Sequence, residues 1–266
     1  MNAGRCFQAH CNGCYSHHMT DALFALALAV VALFYSAVGQ AGGTGYVAVM
    51  GLIGFDPATI KPTALALNVL VSAIGCYRFY RAGMLTWRTV YPFAVLGAPF
   101  SLLGGALHLP AAVYMPVVGV LLLVAGVLML RSVKSASMLD QQAPVVPPFL
   151  PSLLVGGAIG LVSGVTGVGG GIFLAPVVLA MRWTETRTAA AISAVFNLLN
   201  SAAALLGAWA TMPSLPTQLP IWLACVAVGG LVGSWLGTQY LKPGALRLVL
   251  AVLLLAAAAR MIAAAF

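Results

Sequence analysis

The chain has 266 residues, of which 62% are hydrophobic and 6% are charged, and its formal net charge is +8. Because a soluble domain carries about 25% charged residues, this composition excludes a water-soluble protein and predicts an all-α polytopic membrane protein. The apolar runs are continuous, which excludes a β-barrel, whose strands alternate apolar and polar residues. The basic residues lie at the ends of apolar segments and form no patch, so the positive charge does not predict nucleic-acid binding.

Residues 1–20 are predicted to form an N-terminal tail that is either disordered or an upstream extension. Cysteine and histidine residues, which can bind zinc, crowd this segment; they are Cys6, His10, Cys11, Cys14, His17 and His18. A first span that starts after Met19 explains the segment without a metal, so we predict neither a metal nor a cofactor. The tail also lacks the apolar region and cleavage pattern of a signal peptide.

Ten apolar segments follow the tail and predict about ten transmembrane helices. They lie near residues 21–39, 44–55, 62–80, 89–108, 111–131, 150–167, 171–182, 188–210, 219–240 and 244–265. Most approach the roughly 20 residues that are needed to cross a bilayer. The segments 44–55 and 171–182 are short, and each follows a glycine cluster. These two are predicted to be half-helices of a broken span or thin spans inside the bundle.

The hydrophilic stretch 132–149 contains three prolines and is predicted to be a linker. It separates a first transmembrane repeat, 21–131, from a second, 150–266. With ten crossings, nine basic residues fall on one side of the membrane and three on the other. The nine are Arg78, Arg81, Arg88, Arg131, Lys134, Arg182, Arg187, Lys242 and Arg247, and the three are Arg5, Lys61 and Arg260.

This charge bias predicts an orientation. The positive-inside rule places the larger basic set in the cytoplasm and both termini outside, in a multi-pass protein of the bacterial plasma or inner membrane. Lys61 is expected to lie in a loop beside the first short helix. The aromatic residues Trp87, Trp183 and Trp222, near span ends, are expected to be interfacial anchors.

The two halves resemble each other in sequence. SAVGQAGGTGY at 36–46 matches SGVTGVGGGIF at 163–173, and NVLVSA at 68–73 matches NLLNSA at 197–202. A third pairing, 97–110 with 230–243, follows in the same order. Five crossings per half is an odd number, so the second repeat must be inverted relative to the first. Inverted repeats with a glycine-interrupted segment in each half are typical of secondary transporters, which bind substrate near the midplane.

These motifs resemble those of the TauE/SafE family, the sulfite-exporter-like permeases. The resemblance covers about 21–265 and is carried by AVGQAGGTGYVAV at 37–49, SGVTGVGGGIFLAPVV at 163–178, TALALN at 63–68 and AAISAVFN at 190–197. The first glycine motif departs from the second, since Thr44 replaces the third glycine and the proline is missing. The resemblance implies a small sulfur-containing anion, sulfite or an organosulfonate, as the substrate.

Such an anion needs positive potential, and the interior of the spans carries almost no arginine or lysine. The N-terminus of a helix supplies N–H groups and about half a positive charge. The two short helices are therefore predicted to point their N-termini at one anion between the repeats. The candidate substrate-binding residues are Gln40, Gly42, Gly43, Thr44, Asn68, Thr166, Gly169, Gly170, Gly171, Asn197 and Asn200, with Ser72 and Ser193 as further donors.

Other interpretations of the same residues stay open. Small residues in membrane helices often serve only close packing. This is the expected role of seven glycines, namely Gly156, Gly157, Gly160, Gly229, Gly230, Gly233 and Gly237. Asn68 and Asn197 could bond one helix to another without touching substrate. A channel-like anion pore or a non-transporting assembly subunit are the alternative functions, and a homo-oligomer is possible. No enzyme is predicted, because no catalytic constellation is present and GVTGVGGG lacks the GK[ST] of a P-loop.

Overall fold

The computed structural model describes residues 21–85, 87–135, 147–210, 215–239 and 243–263, and within these ranges it contains ten α-helices and no strand. The first half holds α1 (Asp21–Ala37), α2 (Gly43–Ile53), α3 (Pro57–Arg81), α4 (Trp87–Ala106) and α5 (Ala111–Ser135). The second half holds α6 (Phe149–Thr166), α7 (Gly171–Ala180), α8 (Thr186–Trp209), α9 (Leu219–Gln239) and α10 (Pro243–Ala263). The all-α polytopic fold is confirmed.

The bundle combines long helices with two short ones, as predicted. Within the described ranges, six are long and apolar enough to cross a membrane, namely α3, α4, α5, α6, α8 and α9. The short helices α2 and α7 have 11 and 10 residues. At 1.5 Å per residue each extends about 15–16 Å, which is half of a hydrocarbon core of about 30 Å.

The glycine clusters interrupt the helices where the sequence predicts. Gly42 precedes α2 with a φ of 93°, and Gly169 lies between α6 and α7 with a φ of 74°. This left-handed region is open to glycine and strained for other residues. The chain therefore turns back between α1 and α2, and again between α6 and α7. Each pair forms a helical hairpin whose tip carries the glycines.

The two hairpins enter the bundle from opposite ends. Phe24 at the start of α1 stacks on Phe55, just after α2, with ring centroids 5.1 Å apart, and packs edge-on against Trp222 at the start of α9. The first hairpin thus opens toward this end. At the other end, the rings of Phe93 in α4 and Trp183, which follows α7, have their centroids 5.9 Å apart. The second hairpin opens there, so the halves are inverted as predicted.

The helix directions place five of the described arginines at one end, which we call the basic end. Arginines near the ends of α3 and α5, at the start of α4 and between α7 and α8 lie there; they are Arg78, Arg81, Arg88, Arg131 and Arg182. The described chain starts and finishes at the opposite end, with Asp21 and Ala263. This arrangement agrees with the predicted segregation of charge.

Glycines let the helices pack through their backbones. A β carbon at Gly156 or Gly160 of α6 would overlap the carbonyl oxygens of Phe93 and Gly97 in α4. Gly229 and Gly233 of α9 meet the backbone of α1 in the same way. The packing role predicted for these four glycines is confirmed. It is wrong for Gly230, because a β carbon there would find its nearest atom at 3.5 Å and glycine is not needed for the contact.

Three expectations are corrected by the structure. Lys61 is not in a loop but inside α3, where it is buried. Trp183 and Trp222 are buried in the aromatic clusters and are not interfacial anchors, whereas Trp87 is 66% exposed as expected. The predicted linker is shorter at both ends, because α5 continues to Ser135 and α6 begins at Phe149. The tail 1–20 and its cysteines lie outside the described residues.

Candidate functional site

The tips of the two hairpins meet in the middle of the bundle. We call residues 39–45 the first glycine segment and residues 166–171 the second. A β carbon at Gly43 would overlap the carbonyl oxygen of Val168, so the two segments touch through their backbones. A β carbon at Gly169 would overlap the side-chain amides of Asn68 and Asn197. Glycine at these positions therefore permits the contact between the repeats.

A small cavity of about 20 Å³, the glycine cavity, lies between the two segments. Both segments, with residues of α1, α7 and α8, form its wall; the lining residues are Tyr35, Gly39, Gln40, Ala41, Gly42, Gly43, Thr44, Val168, Gly169, Gly171, Ile172, Ser193, Ala194 and Asn197. A space of this size has room for a single water molecule. A larger ligand requires the glycine cavity to widen.

An asparagine pair joins the repeats beside this cavity. The Asn68 amide nitrogen donates to the Asn197 oxygen at 3.2 Å, and the Asn197 nitrogen donates to the Asn68 oxygen at 3.3 Å. Asn68 also donates to the Ser201 hydroxyl at 2.6 Å, and Asn197 donates to the Ser72 hydroxyl at 3.0 Å. The bonds therefore join the positions that the sequence repeat pairs, across the axis that relates the two halves. They use both N–H groups of each amide.

The short helices present uncapped N-termini to the cavity. Gly42 is the N-cap of α2 and Gly170 is the N-cap of α7, and neither helix start has a side-chain capping bond among the described residues. The first N–H groups of a helix lack partners within the helix. Among the described residues, the Gly171 N–H makes a long contact of 3.4 Å with the Asn197 side-chain oxygen, and the Phe173 N–H donates to the Gly170 carbonyl at 3.2 Å. The two positive helix ends come from opposite repeats and converge on one space.

Polar side chains complete the wall. Ser193 is 3% exposed, and its hydroxyl oxygen has no hydrogen-bond partner in the described part of the chain. The side-chain oxygen of Gln40 is likewise buried without a partner there. The Thr44 hydroxyl donates to the Tyr35 hydroxyl at 2.8 Å, which leaves the Tyr35 proton for another acceptor. Buried polar groups without partners are rare in proteins, so Ser193 and Gln40 are candidate contacts for a ligand in this cavity.

The structure brings most of the predicted site residues together. Seven of the eleven line the glycine cavity, namely Gln40, Gly42, Gly43, Thr44, Gly169, Gly171 and Asn197. Ser193, named as a further donor, lines it as well. Asn68 stands behind the wall and reaches the cavity through Asn197.

Three predicted residues lie elsewhere. A β carbon at Gly170 would meet Phe196, so this glycine serves packing. The Thr166 hydroxyl donates to the Val162 carbonyl at 2.7 Å within α6. Asn200 is fully buried but is absent from the cavity wall, and its amide atoms have no partner among the described residues. These three therefore do not contact the glycine cavity.

A larger cavity of about 210 Å³, the vestibule, opens from the glycine cavity toward the basic end. The two share Gly39, Gln40, Ala41 and Ala194 in their walls. Arg78, near the end of α3, is the one basic side chain among the described residues that line the vestibule. Toward the opposite end, α4 and α8 touch through their backbones, since a β carbon at Gly105 would overlap the carbonyl oxygen of Ala204.

Sequence reasoning misses two residues of these cavities. Tyr35 directly precedes the motif that begins at Ser36, but helical periodicity does not show that its hydroxyl reaches Thr44 across the hairpin. The sequence does not distinguish Arg78 from the other basic residues near the ends of spans. Its place in the vestibule depends on how far α3 and α9 stand apart, which the sequence does not encode locally.

Two inverted helical hairpins that meet at a central cavity define a polytopic membrane protein with the architecture of many transporters. The profile of the family described as "Sulfite exporter TauE/SafE" matches residues 23–261, and the chain belongs to this family of membrane permeases. It is also similar to "Probable membrane transporter protein y4hK" of Sinorhizobium fredii, with 52% identity over 237 residues, or 89% of this chain and 96% of the relative. No solved structure matches the chain significantly.

Proposed function

We propose that the protein is a secondary transporter for a small anion, sulfite or an organosulfonate, and that the anion binds in the glycine cavity. The family description supports the class of substrate, and the name of the relative from Sinorhizobium fredii supports transport. One observation carries the proposal. Two uncapped helix N-termini, one from each repeat, line the same buried space.

An anion in this cavity is attracted by backbone groups. Each helix start contributes free N–H donors and about half an elementary positive charge. In a low-dielectric site such fixed dipoles act more strongly than in water. The hydroxyl groups of Ser193 and Tyr35 add donors that have no other acceptor among the described residues. A sulfonate or sulfite group, with three oxygens, can accept several of these hydrogen bonds at once.

The two cavities give the anion a route. The vestibule lies between the basic end and the glycine cavity and shares four wall residues with that cavity, and Arg78 in its wall attracts anions. The α4–α8 contact closes the opposite end. The corresponding helices of the inverted repeat, α9 and α3, border the vestibule. In the proposed transport cycle the repeats exchange these arrangements, so the vestibule closes and the opposite end opens.

We further propose that the basic end faces the cytoplasm, with the described termini outside. The positive-inside rule supports this orientation. In that case the present conformation is open to the cytoplasm and closed to the outside.

The function is tested by binding and flux measurements on the purified protein. Sulfite, thiosulfate, sulfoacetate, taurine and sulfate are compared for their ability to raise the melting temperature, and flux is then measured in proteoliposomes. We expect one sulfur-containing anion to stabilise the protein and to be transported with saturable kinetics. Flux that rises linearly without saturation would favour a channel, and no binding or flux of any of these compounds would contradict the proposal.

Serine variants locate the site. Ser193→Ala removes a donor from the glycine cavity and is expected to weaken anion binding about tenfold, while the anion-free protein stays as stable or becomes more so. Ser163→Ala is the matched control, because its hydroxyl is also buried without a described partner but lies outside both cavities. Equal binding by the two variants would place the anion elsewhere.

A further inference from the structure

One buried cation lies outside the proposed anion site. Lys61, near the start of α3, is 5% exposed. Its ammonium nitrogen donates to the carbonyl oxygens of Gly104, Gly105 and Leu107 at 2.9, 2.8 and 2.8 Å. These bonds use all three ammonium protons. The lysine thereby caps the C-terminal end of α4, where the helix dipole is negative.

The same end of α4 closes the bundle. A β carbon at Gly105 would overlap the carbonyl oxygen of Ala204 in α8, and a β carbon at Gly207 would overlap that of Leu102 in α4. The backbones of α4 and α8 are therefore in contact, and this contact lies on the side of the glycine cavity that faces away from the basic end. Lys61 therefore holds α4 in the position that closes this end.

A cap of this kind does not require a charge. The helices α2 and α6 end on Gly54 and Gly167 in left-handed conformations, with their cap N–H groups bonded to the last turn. Burial of an ammonium in a membrane protein is strongly unfavourable. Among the described residues, the bonding partners of Lys61 include no carboxylate. A capping role alone thus leaves the choice of lysine unexplained.

The other repeat has no cation at the position that corresponds to Lys61. At the repeat spacing of 129 residues, Lys61 corresponds to Ala190. The Cα atom and carbonyl oxygen of Lys61 each lie 3.1 Å from where a β carbon at Gly167 would be. Lys61 consequently stands beside the second glycine segment, between the glycine cavity and the closed end.

We propose that Lys61 binds the transported anion on the access path at this end, and that the carbonyls of α4 hold the lysine while the path is closed. The inference rests on the proposed function. When α4 moves away from both α8 and α3 to open this end, the ammonium loses three charge-assisted bonds and needs another acceptor. A small anion supplies one. Opening without an anion leaves a buried cation unpaired, so Lys61 makes opening of this end depend on the anion.

The test compares sulfite uptake from the two sides of the membrane, in right-side-out and inside-out vesicles. Lys61→Met keeps the apolar stem and removes the charge. We expect it to raise the KM for sulfite about tenfold or more from the end opposite the basic end, with little change from the vestibule side. Arg78→Gln should show the reverse pattern, and Lys61→Arg should retain most of the affinity. An equal change of KM from both sides in Lys61→Met, or none, would overturn the role of Lys61.

Hydrogen exchange of the wild-type protein provides a second readout that needs no variant. Residues 102–109 should exchange faster when sulfite is added, because the anion competes with the α4 carbonyls for the ammonium. Unchanged exchange at saturating sulfite contradicts the inference. A wild-type protein that neither binds nor transports any of the sulfur anions contradicts the proposed function itself, whereas wild-type transport without the sided effect contradicts only the role of Lys61.

Discussion

Replacing either central asparagine with alanine should destabilise the bundle, and replacing both should cost less than the sum of the two. Asn197→Ala removes the two reciprocal bonds with Asn68, at 3.2 and 3.3 Å, and the bond to Ser72 at 3.0 Å. At about 0.5–1.5 kcal/mol of net stability per bond, the free energy of unfolding should fall by roughly 2–4 kcal/mol. The reciprocal pair alone should appear as a coupling energy of about 1–2 kcal/mol.

Reversible unfolding in mixed micelles, with increasing denaturing detergent, measures these energies for the wild type, both single variants and the double variant. A control cycle combines Asn197→Ala with Ser152→Ala, whose hydroxyl donates to the Pro148 carbonyl at 2.8 Å at the start of α6. The two control substitutions share no bonding partner, so their effects on the free energy of unfolding should add within about 0.5 kcal/mol. A coupling energy near zero for the Asn68–Asn197 pair would refute the contact between the repeats.

Further predictions concern the backbone contact and the orientation. Gly43→Ala places a methyl group on the Val168 carbonyl and pushes the two glycine segments apart. Transport should fall more than about tenfold, since a displacement of about 1 Å at a binding site can cost that much. Gly230→Ala is the tolerated control, because its β carbon would find its nearest atom at 3.5 Å. Single-cysteine variants made in a background without other cysteines test the orientation. Arg81→Cys should react with an impermeant thiol reagent only from the cytoplasm, and Leu107→Cys only from outside. The opposite labelling pattern would contradict the proposed orientation.

The broken helices could be predicted from the sequence because their cause is local. Contiguous glycines such as Gly169 and Gly170 weaken a helix wherever they occur, and their duplication near Gly42 marks the second break. The inverted repeat follows from the order of three matching segments and from an odd number of crossings. These features need no knowledge of how the helices pack.

The cavities could not be predicted in the same way. Whether Asn200 faces the glycine cavity or the α4–α8 contact depends on the rotation of α8, which the sequence of one strongly apolar helix does not fix. The burial of Lys61 depends on the end of α4 lying beside it, 43 residues further along the chain. Trp222 is buried because Phe24 and Phe55, from the other repeat, surround it. All three are consequences of long-range packing.

Selenite tests the central claim most directly, because it resembles sulfite and contains a strong anomalous scatterer. Crystals of the wild-type protein grown with selenite should show one anomalous peak in the glycine cavity, between the N-termini of α2 and α7, and the peak should weaken in Ser193→Ala but not in Ser163→Ala. A selenite peak at another place, or no peak under conditions in which selenite inhibits sulfite uptake, would contradict the account.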